Sequence, residues 1–560
     1  MLLYLIACGS GMDGRPLPGS GDEPVQQPSQ DSPADSPGQD SDWTEPTDPG
    51  LPELGSSVQT LSVTLFTWDE AYAGTDDAVK LCLEGTCWGL YREDWDDNER
   101  GAREVFHLDA GGLDPASLSS ATLLIDDGEN QYRPECLALS LDGHPWLCQD
   151  ALSVKLGNTG DEVLEVDFSG ELACTGCWDS PLTHGPIWGA PERGVIALSY
   201  RLDATRRVEL FAKKEHAEHL VHIGYPLPQD DFTEQVRLEG LAPGDWSLRM
   251  QVDGVEVGAW TRTVPEGDEQ SLRFAFGSCS KDPDTQPIFD TIAARDPQLF
   301  LFVGDNHYGN TADLGAQRQN YRLMRDVPER ARFLDAVPVL ATWDDHDFVG
   351  NNTDASDPGG DLALQAFREY WTNPSYGFED TSAAATRHVA GPAEFFLVDD
   401  RSFRGTEDSL LGTEQTAWLL EALSESTSPF KFVVCGSQFT SEGSSDSWAA
   451  FDAARESLHA ELDARGITGV VFLSGDIHRS ELRLDPGTRV PEWTSSPLAN
   501  SNSSCQDESQ LACFDDGVSF VFVEVDASLE DPQATASIIA LDGSIQASHT
   551  VRLSELQPAR

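Results

Sequence analysis

Four short apolar runs in the second half of the chain each end in side chains that seek metals. Arg273–Phe276 runs into Gly277-Ser278-Cys279, and Gln298–Val303 into Gly304-Asp305-Asn306-His307-Tyr308. Val337–Ala341 leads to Trp343-Asp344-Asp345-His346-Asp347, and Gly469–Leu473 to Gly475-Asp476-Ile477-His478. The runs are β-branched or aromatic and predict buried strands of an α/β sheet. Open α/β sheets bind ligands just beyond the carboxyl ends of their strands, so the four endings should converge. A single Asp or His after a strand is usually a turn or a helix cap. Four endings carrying Cys, Asp, Tyr and His in one domain predict a polynuclear metal site.

The side chains suggest roles. Two adjacent metals need a shared anionic oxygen, and Asp305 is the candidate bridge. Tyr308 reaches one metal as a phenolate, which calls for a strongly Lewis-acidic ion such as ferric iron, and Cys279 adds a thiolate to that ion. Asp345 and Asp344 offer hard oxygens to the other metal. Asp476 and His478, two residues apart at one strand end, both point inward. Gln438, in Gly436-Ser437-Gln438, supplies an amide oxygen. His346 follows Asp345 and is placed to protonate a leaving group. His307, Asp347, Asn351 and Asn352 read as residues around the ligands, with packing, capping and turn formation as their competing roles. Two metals about 3.5–4 Å apart clamp the attacking and leaving oxygens of a displacement at phosphorus and acidify the water between them. The sequence has no Gly-x-Ser-x-Gly elbow after a strand and no Walker-type loop. The expected chemistry is therefore hydrolysis by water activated on the metals, without a covalent enzyme intermediate.

The 560 residues carry a formal net charge of -60, which argues against nucleic acid or anionic membrane as partners held by charge. Cysteine is odd in number, 11. Cys8 closes Leu5-Ile6-Ala7-Cys8, which looks like a lipobox; Cys279 belongs to the first block and Cys435 to an apolar strand. The other eight fall in close pairs, Cys82/Cys87, Cys136/Cys148, Cys174/Cys177 and Cys505/Cys513. Neighbour pairing fits an exported, disulfide-permissive protein. A lipid on Cys8 would be the anchor, followed by a Gly/Pro/Ser/Asp-rich linker to Ser57. The expected location is the outer membrane or cell surface as a lipoprotein, or else periplasmic or extracellular, and the expected state is a monomer.

The predicted architecture is multidomain, α/β plus all-β. Residues 1–57 are signal remnant and linker, 58–193 a Cys-rich stapled β domain without a functional signature, and 194–268 a fibronectin/Ig-like β-sandwich. Residues 269–560 form an α/β sandwich whose helices are expected at Thr285–Arg295, Gly360–Trp371, Thr413–Ser424 and Ser447–Arg465.

Taken in order, the four blocks, with Asn351-Asn352, resemble the PhoD-like alkaline phosphatases of the calcineurin-like metallophosphoesterases. The segments Glu394–Arg401 and Leu411-Gly412-Thr413-Glu414-Gln415 are similar too, which brings Arg401 into the candidate site. The likeness covers roughly Ser271 to Leu553, and the preceding sandwich looks like the family's N-terminal module. The Asp305-x-x-Tyr308 spacing is similar to that of purple acid phosphatases. Membership implies Fe3+ plus Ca2+, with phosphate mono- and diesters as substrates. Gly475-Asp476-Ile477-His478 stands where the superfamily has Gly-His-x-His, and the Asp hardens the second site in keeping with calcium over zinc, with Zn2+ or Mn2+ as the alternative there. The family's frequent twin-arginine signal does not occur here. Two other functions compete: a phosphodiesterase or phospholipase acting on envelope polymers, and a surface binding protein with a relic hydrolase fold.

Overall fold

The computed structural model describes residues 44–67, 78–92, 102–125, 132–149, 163–167, 180–405, 409–440, 446–485, 487–505 and 510–557, with Leu152, Lys155, Leu156, Cys177 and Trp178. Cys8, Cys174 and most of the expected linker lie outside these. The chain divides after Thr44, and every described strand and helix belongs to the unit Glu45–Arg560.

The first part of this unit is built of two four-stranded antiparallel sheets. Val58–Thr67 lies between Arg103–Leu113 and Pro134–Leu141, and Val79–Leu83 between Thr86–Gly89 and Ser120–Ile125. Alternate residues such as Leu61, Val63, Leu65, Leu81, Leu123, Leu137 and Leu139 form one core. The cysteine pairing differs from the expected one: Cys136 bonds Cys177, 41 positions on, and not Cys148, which is itself disulfide-bonded. In the sheet Cys148 stands opposite Ala138 rather than Cys136, while Cys177 packs with Cys136 in a small core. Cys82–Cys87 and Cys505–Cys513 pair as neighbours. Closing a loop of 41 residues stabilises by about 4 kcal/mol in the chain-entropy account. Cys136→Ser with Cys177→Ser should lower the urea midpoint accordingly, and an unchanged midpoint would show that the bond constrains nothing.

Next come a three-stranded and a four-stranded antiparallel sheet. Leu182–Trp188, expected in the stapled domain, is instead an edge strand here, pairing with Ile196–Leu202.

From Ser271 two larger sheets face each other. The six-stranded one runs Val339–Thr342, Leu299–Val303, Ser271–Gly277, Ser519–Asp526, Gln533–Ala540, Ile545–Arg552, and its first three strands are parallel. In the seven-stranded one, Ala393–Leu397, Phe430–Val434, Val470–Ser474 and Pro491–Thr494 are parallel neighbours. Both faces of these strands are covered, which is why they read as continuous apolar runs. Phe274, Phe276, Leu299, Leu301, Val303, Phe432, Val434, Val471 and Leu473 fill the space between the sheets. The alternate residues Ala275, Phe300 and Phe302 point outward to helices, as do Phe396, Val433 and Phe472 on the far side. The result is a helix–sheet–sheet–helix sandwich. The four expected helices occur at Ile288–Ala293, Gly360–Tyr370, Gly412–Glu425 and Asp452–Ala464. Leu314–Asp326 and Pro328–Ala336 are two further helices. The first buries Gln317, Arg318, Gln319, Asn320, Arg322 and Arg325, so it lacks the apolar periodicity that marks a helix in sequence.

Candidate active site

The parallel strands of both sheets end on the same side, where the sheets meet. Thr342 Oγ1 donates to the Val398 carbonyl at 2.9 Å across that seam. Chain reversal is abrupt: Cys279, Asp305, Asp476 and His478 all have left-handed backbone, with φ of 60, 51, 67 and 58°. Such conformations cost energy for residues with a Cβ, persist only where the surroundings hold them, and cluster at functional sites. The strand ends also come close together. A Cβ on Gly436 would stand 2.6 Å from the Trp343 carbonyl oxygen, and one on Gly475 2.7 Å from that of Val303.

These turns bring two sets of side chains together. Ligand atoms of Cys279, Asp305 and His478 lie within 4.8 Å of one another, and so do those of Asp305, Asp345 and His346. Asp305 belongs to both sets. Tyr308 joins the first: its hydroxyl donates to Asp305 Oδ2 at 2.8 Å and lies 3.2 Å from His478 Nε2. Cys279 Sγ is 3.5 Å from Asp305 Oδ2 and 3.5 Å from the Asp476 carbonyl. Asp345 is fixed by backbone donors, accepting from His346 N at 2.7 Å and Asn352 N at 2.6 Å.

Other candidates stand elsewhere. Asp344 does not join either set; its carboxylate turns to Arg401, whose Nε donates to Oδ1 at 2.6 Å. Successive side chains of an extended segment point to opposite sides, so Asp344 and Asp345 diverge. Arg401 is fully buried and also bonds Asp446 and Ser437. Asp347 caps its short helix, accepting from Asp344 N at 3.0 Å and Asn306 N at 3.0 Å. His307 packs edge-on to Tyr321, with centroids 4.4 Å apart. Asn351 donates to Asn352, and the latter meets Asp345 through its backbone only. The Gln438 amide donates to Glu481 and Thr494 at 3.0 Å each, leaving its buried carbonyl oxygen without a hydrogen bond.

Three residues at the mouth escaped the sequence reading. Asn310 Oδ1 accepts from His346 Nδ1, Asn500 Nδ2 lies 3.3 Å from His478 Nε2, and Lys281 Nζ stands 5.6 Å from the Tyr308 ring centroid. Asn310 follows the Tyr308 block by two positions, which was the available signal. Asn500 and Lys281 carried none.

The electrostatics fit a cationic occupant. Burial, then Asp476, pushes the Cys279 thiol up to about 12. Burial, then Cys279 and Asp345, raises Asp305 well above the carboxylate range, and burial, then Asp345, raises Asp476 to about 7. These acidic groups repel one another as anions, and a bound cation would stabilise their ionised forms. Thiolate, phenolate, imidazole and carboxylate suit iron or zinc on one side of Asp305. On the other side Asp345 and His346 offer a carboxylate and an imidazole to a second cation.

Residues 274–509 match the family described as PhoD-like phosphatase. Alkaline phosphatase D of Bacillus subtilis (strain 168) is 24% identical over 336 residues, 48% of this chain and 57% of that protein. The match thus spans just over half of the relative's length. The solved structure of PhoD superposes with a TM-score of 0.57 at 19% identity, covering 67% of this chain and 90% of its own. A purple acid phosphatase from yellow lupin (Lupinus luteus) seeds gives 0.53 at 10% identity over 89% and 91%. At these identities the two structures speak to the fold. Family match and fold agree: the segment that carries the strand ends and their converging side chains is the part of this chain that is similar to the PhoD-like phosphatases.

Proposed function

We propose that this chain is an exported, metal-dependent phosphohydrolase acting on phosphate mono- or diesters. The observation that carries the reading is Asp305, whose one carboxylate belongs to two adjacent sets of ligand-type side chains. Cys279, Asp305, Tyr308 and His478 would hold one cation, Fe3+ by the anionic charge of the set and its phenolate; Asp305, Asp345, Asp476 and Gln438 would hold the other, Ca2+ by their hardness. Two such cations supply Lewis-acid polarisation of the phosphoryl group and acidify a water. The protein's own part is to hold both donor sets rigid on strand ends and to keep Asp345 oriented by its two backbone donors. The purified protein should contain iron and calcium and hydrolyse a chromogenic phosphoester. Exhaustive EGTA dialysis should remove activity reversibly while the tyrosinate colour stays, and Tyr308→Phe should abolish that colour. Metal-free, inert protein in the presence of both ions would overturn the reading.

His346 is the proposed proton donor to the leaving group. Its Nδ1 is engaged by Asn310, its ring lies against Tyr308 at 4.1 Å, and the other ring nitrogen is left for substrate. Burial lowers its pKa below the usual imidazole value, while Asp345 works in the opposite direction. As an acid it must be charged, so turnover of poor leaving groups should fall as pH rises through a value below about 6.5. His346→Ala should slow such substrates by about 10²–10⁴-fold and activated aryl esters far less. A second reading comes from the proximity of His346 to Asp305 and Asp345, which also suits a ligand. Loss of the second metal in His346→Ala, with equal losses on both substrates, would favour it.

A further inference from the structure

Directly behind the Asp305–Tyr308 turn, between the helices Leu314–Asp326 and Pro328–Ala336, lies a layer of buried polar groups with too few partners. Arg330 is fully buried; its Nη1 donates to Asn306 O at 2.9 Å and Ser280 Oγ at 3.2 Å, its guanidinium lies 5.0 Å from the Phe302 ring centroid, and Nε and Nη2 have no hydrogen bond. Arg325 is 4% exposed, donates to the carbonyls of Tyr321 and Tyr370 and lies over the rings of Tyr370 and Trp371 at 4.9 and 5.0 Å, with Nε lacking a hydrogen bond. Around them His307 Nε2 and the Tyr321 hydroxyl are unpartnered as well. His307 Nδ1 accepts from Gly309 N at 3.3 Å, so in the neutral ring Nε2 carries the proton. The unpartnered acceptors here are Asn306 Oδ1 and Gln317 Oε1. Donors outnumber acceptors.

Charge points the same way. Among the described residues no carboxylate acts on the charge of Arg325, and Asp347 is the one that acts on Arg330. Asp347, whose Oδ1 is 4.0 Å from His307 Nε2, is the nearest acidic group to this layer and offsets at most one of the two positive charges. A buried charge without an anionic partner is strongly destabilising, and aromatic faces offset it only in part. Water would satisfy donors yet leave the charge. We infer that this layer holds a monovalent monatomic anion, chloride in practice, bound between Arg325 and Arg330 with His307 and Tyr321 as further donors. The anion would fix the helix pair against the turn that carries Asp305 and Tyr308, without touching substrate.

The test uses the full chain. Protein refolded in buffer whose sole halide is bromide is crystallised, and anomalous difference density is collected at the bromine edge. A peak within hydrogen-bond reach of Arg330 is expected; density of water strength with no bromide signal overturns the inference. In solution, the urea midpoint is followed as sodium gluconate replaces sodium chloride at constant ionic strength. Above the site's Kd the folding constant should rise about tenfold for each tenfold increase in chloride. In Arg330→Met the midpoint should be indifferent to chloride. Should that variant fail to fold, the wild-type titration and the bromide map still decide, since a wild-type midpoint that ignores chloride also overturns the inference.

Discussion

Asp305→Asn is expected to abolish most phosphoester hydrolysis while leaving the metal-free protein folded and no less stable. Asparagine keeps the shape but removes the charge shared by the two donor sets, so neither proposed cation would be held at full strength. Metal stabilisation of the transition state is worth several kcal/mol; at ~4 kcal/mol that is on the order of 10³-fold in rate. Stability should behave in the opposite sense, because burial and the neighbours Cys279 and Asp345 already penalise the Asp305 anion. Asp476 shows how this appears with pH. Its folded pKa, about 7, lies above that of an unfolded carboxylate. Its contribution to metal-free stability is therefore complete below about pH 4 and is lost as pH rises through about 7. Denaturant midpoints of chelated protein from pH 4 to 8 should fall across that window, and Asp476→Asn should flatten the fall. A steady midpoint in the chelated wild type would show that these carboxylates are not destabilising one another.

Asp231→Ala should cost about 3–5 kcal/mol of stability, the largest expected effect away from the active site. One fully buried carboxylate is gripped from three parts of the chain. Arg201, on the strand Ile196–Leu202, donates through Nε and Nη2 at 3.1 Å each, and His107, on Arg103–Leu113, contacts it at 2.9 Å. Arg322 and Tyr370, on the helices Leu314–Asp326 and Gly360–Tyr370, complete the set. Burial alone would raise the Asp231 pKa, but Arg201, Arg322 and His107 together hold it well below the ordinary carboxylate range. Its stabilising contribution is thus present at neutral pH and is lost only as pH falls below that range. Alanine leaves Arg201 and Arg322 buried without an anion, at 2% and 1% exposed side chains. Asp231→Ala combined with Arg322→Met should recover part of the loss. Equal unfolding midpoints for Asp231→Ala and wild type would mean the three parts are held by other contacts.

The α/β pattern and the converging strand ends were legible because strands buried on both faces leave unbroken apolar runs. Each run stops where the chain must turn toward the site. The identities of Cys279, Asp305, Tyr308, Asp345, His346, Asp476 and His478 as neighbours followed from that placement and from the resemblance the blocks carry. The direction of Asp344 was not legible: two adjacent carboxylates look alike in sequence, and Arg401, 57 positions away, draws one of them aside. Nor was the helix Leu314–Asp326, whose buried face is polar because it meets Asp231, Glu369 and the turn behind the site rather than a hydrocarbon core. The Cys136–Cys177 bond and the pairing of Leu182–Trp188 are likewise tertiary outcomes. Local pattern determines which segments are strands and which side chains stand at their ends. Which partner each polar group finds depends on contacts distant in sequence, and these exist only once the sheets have packed.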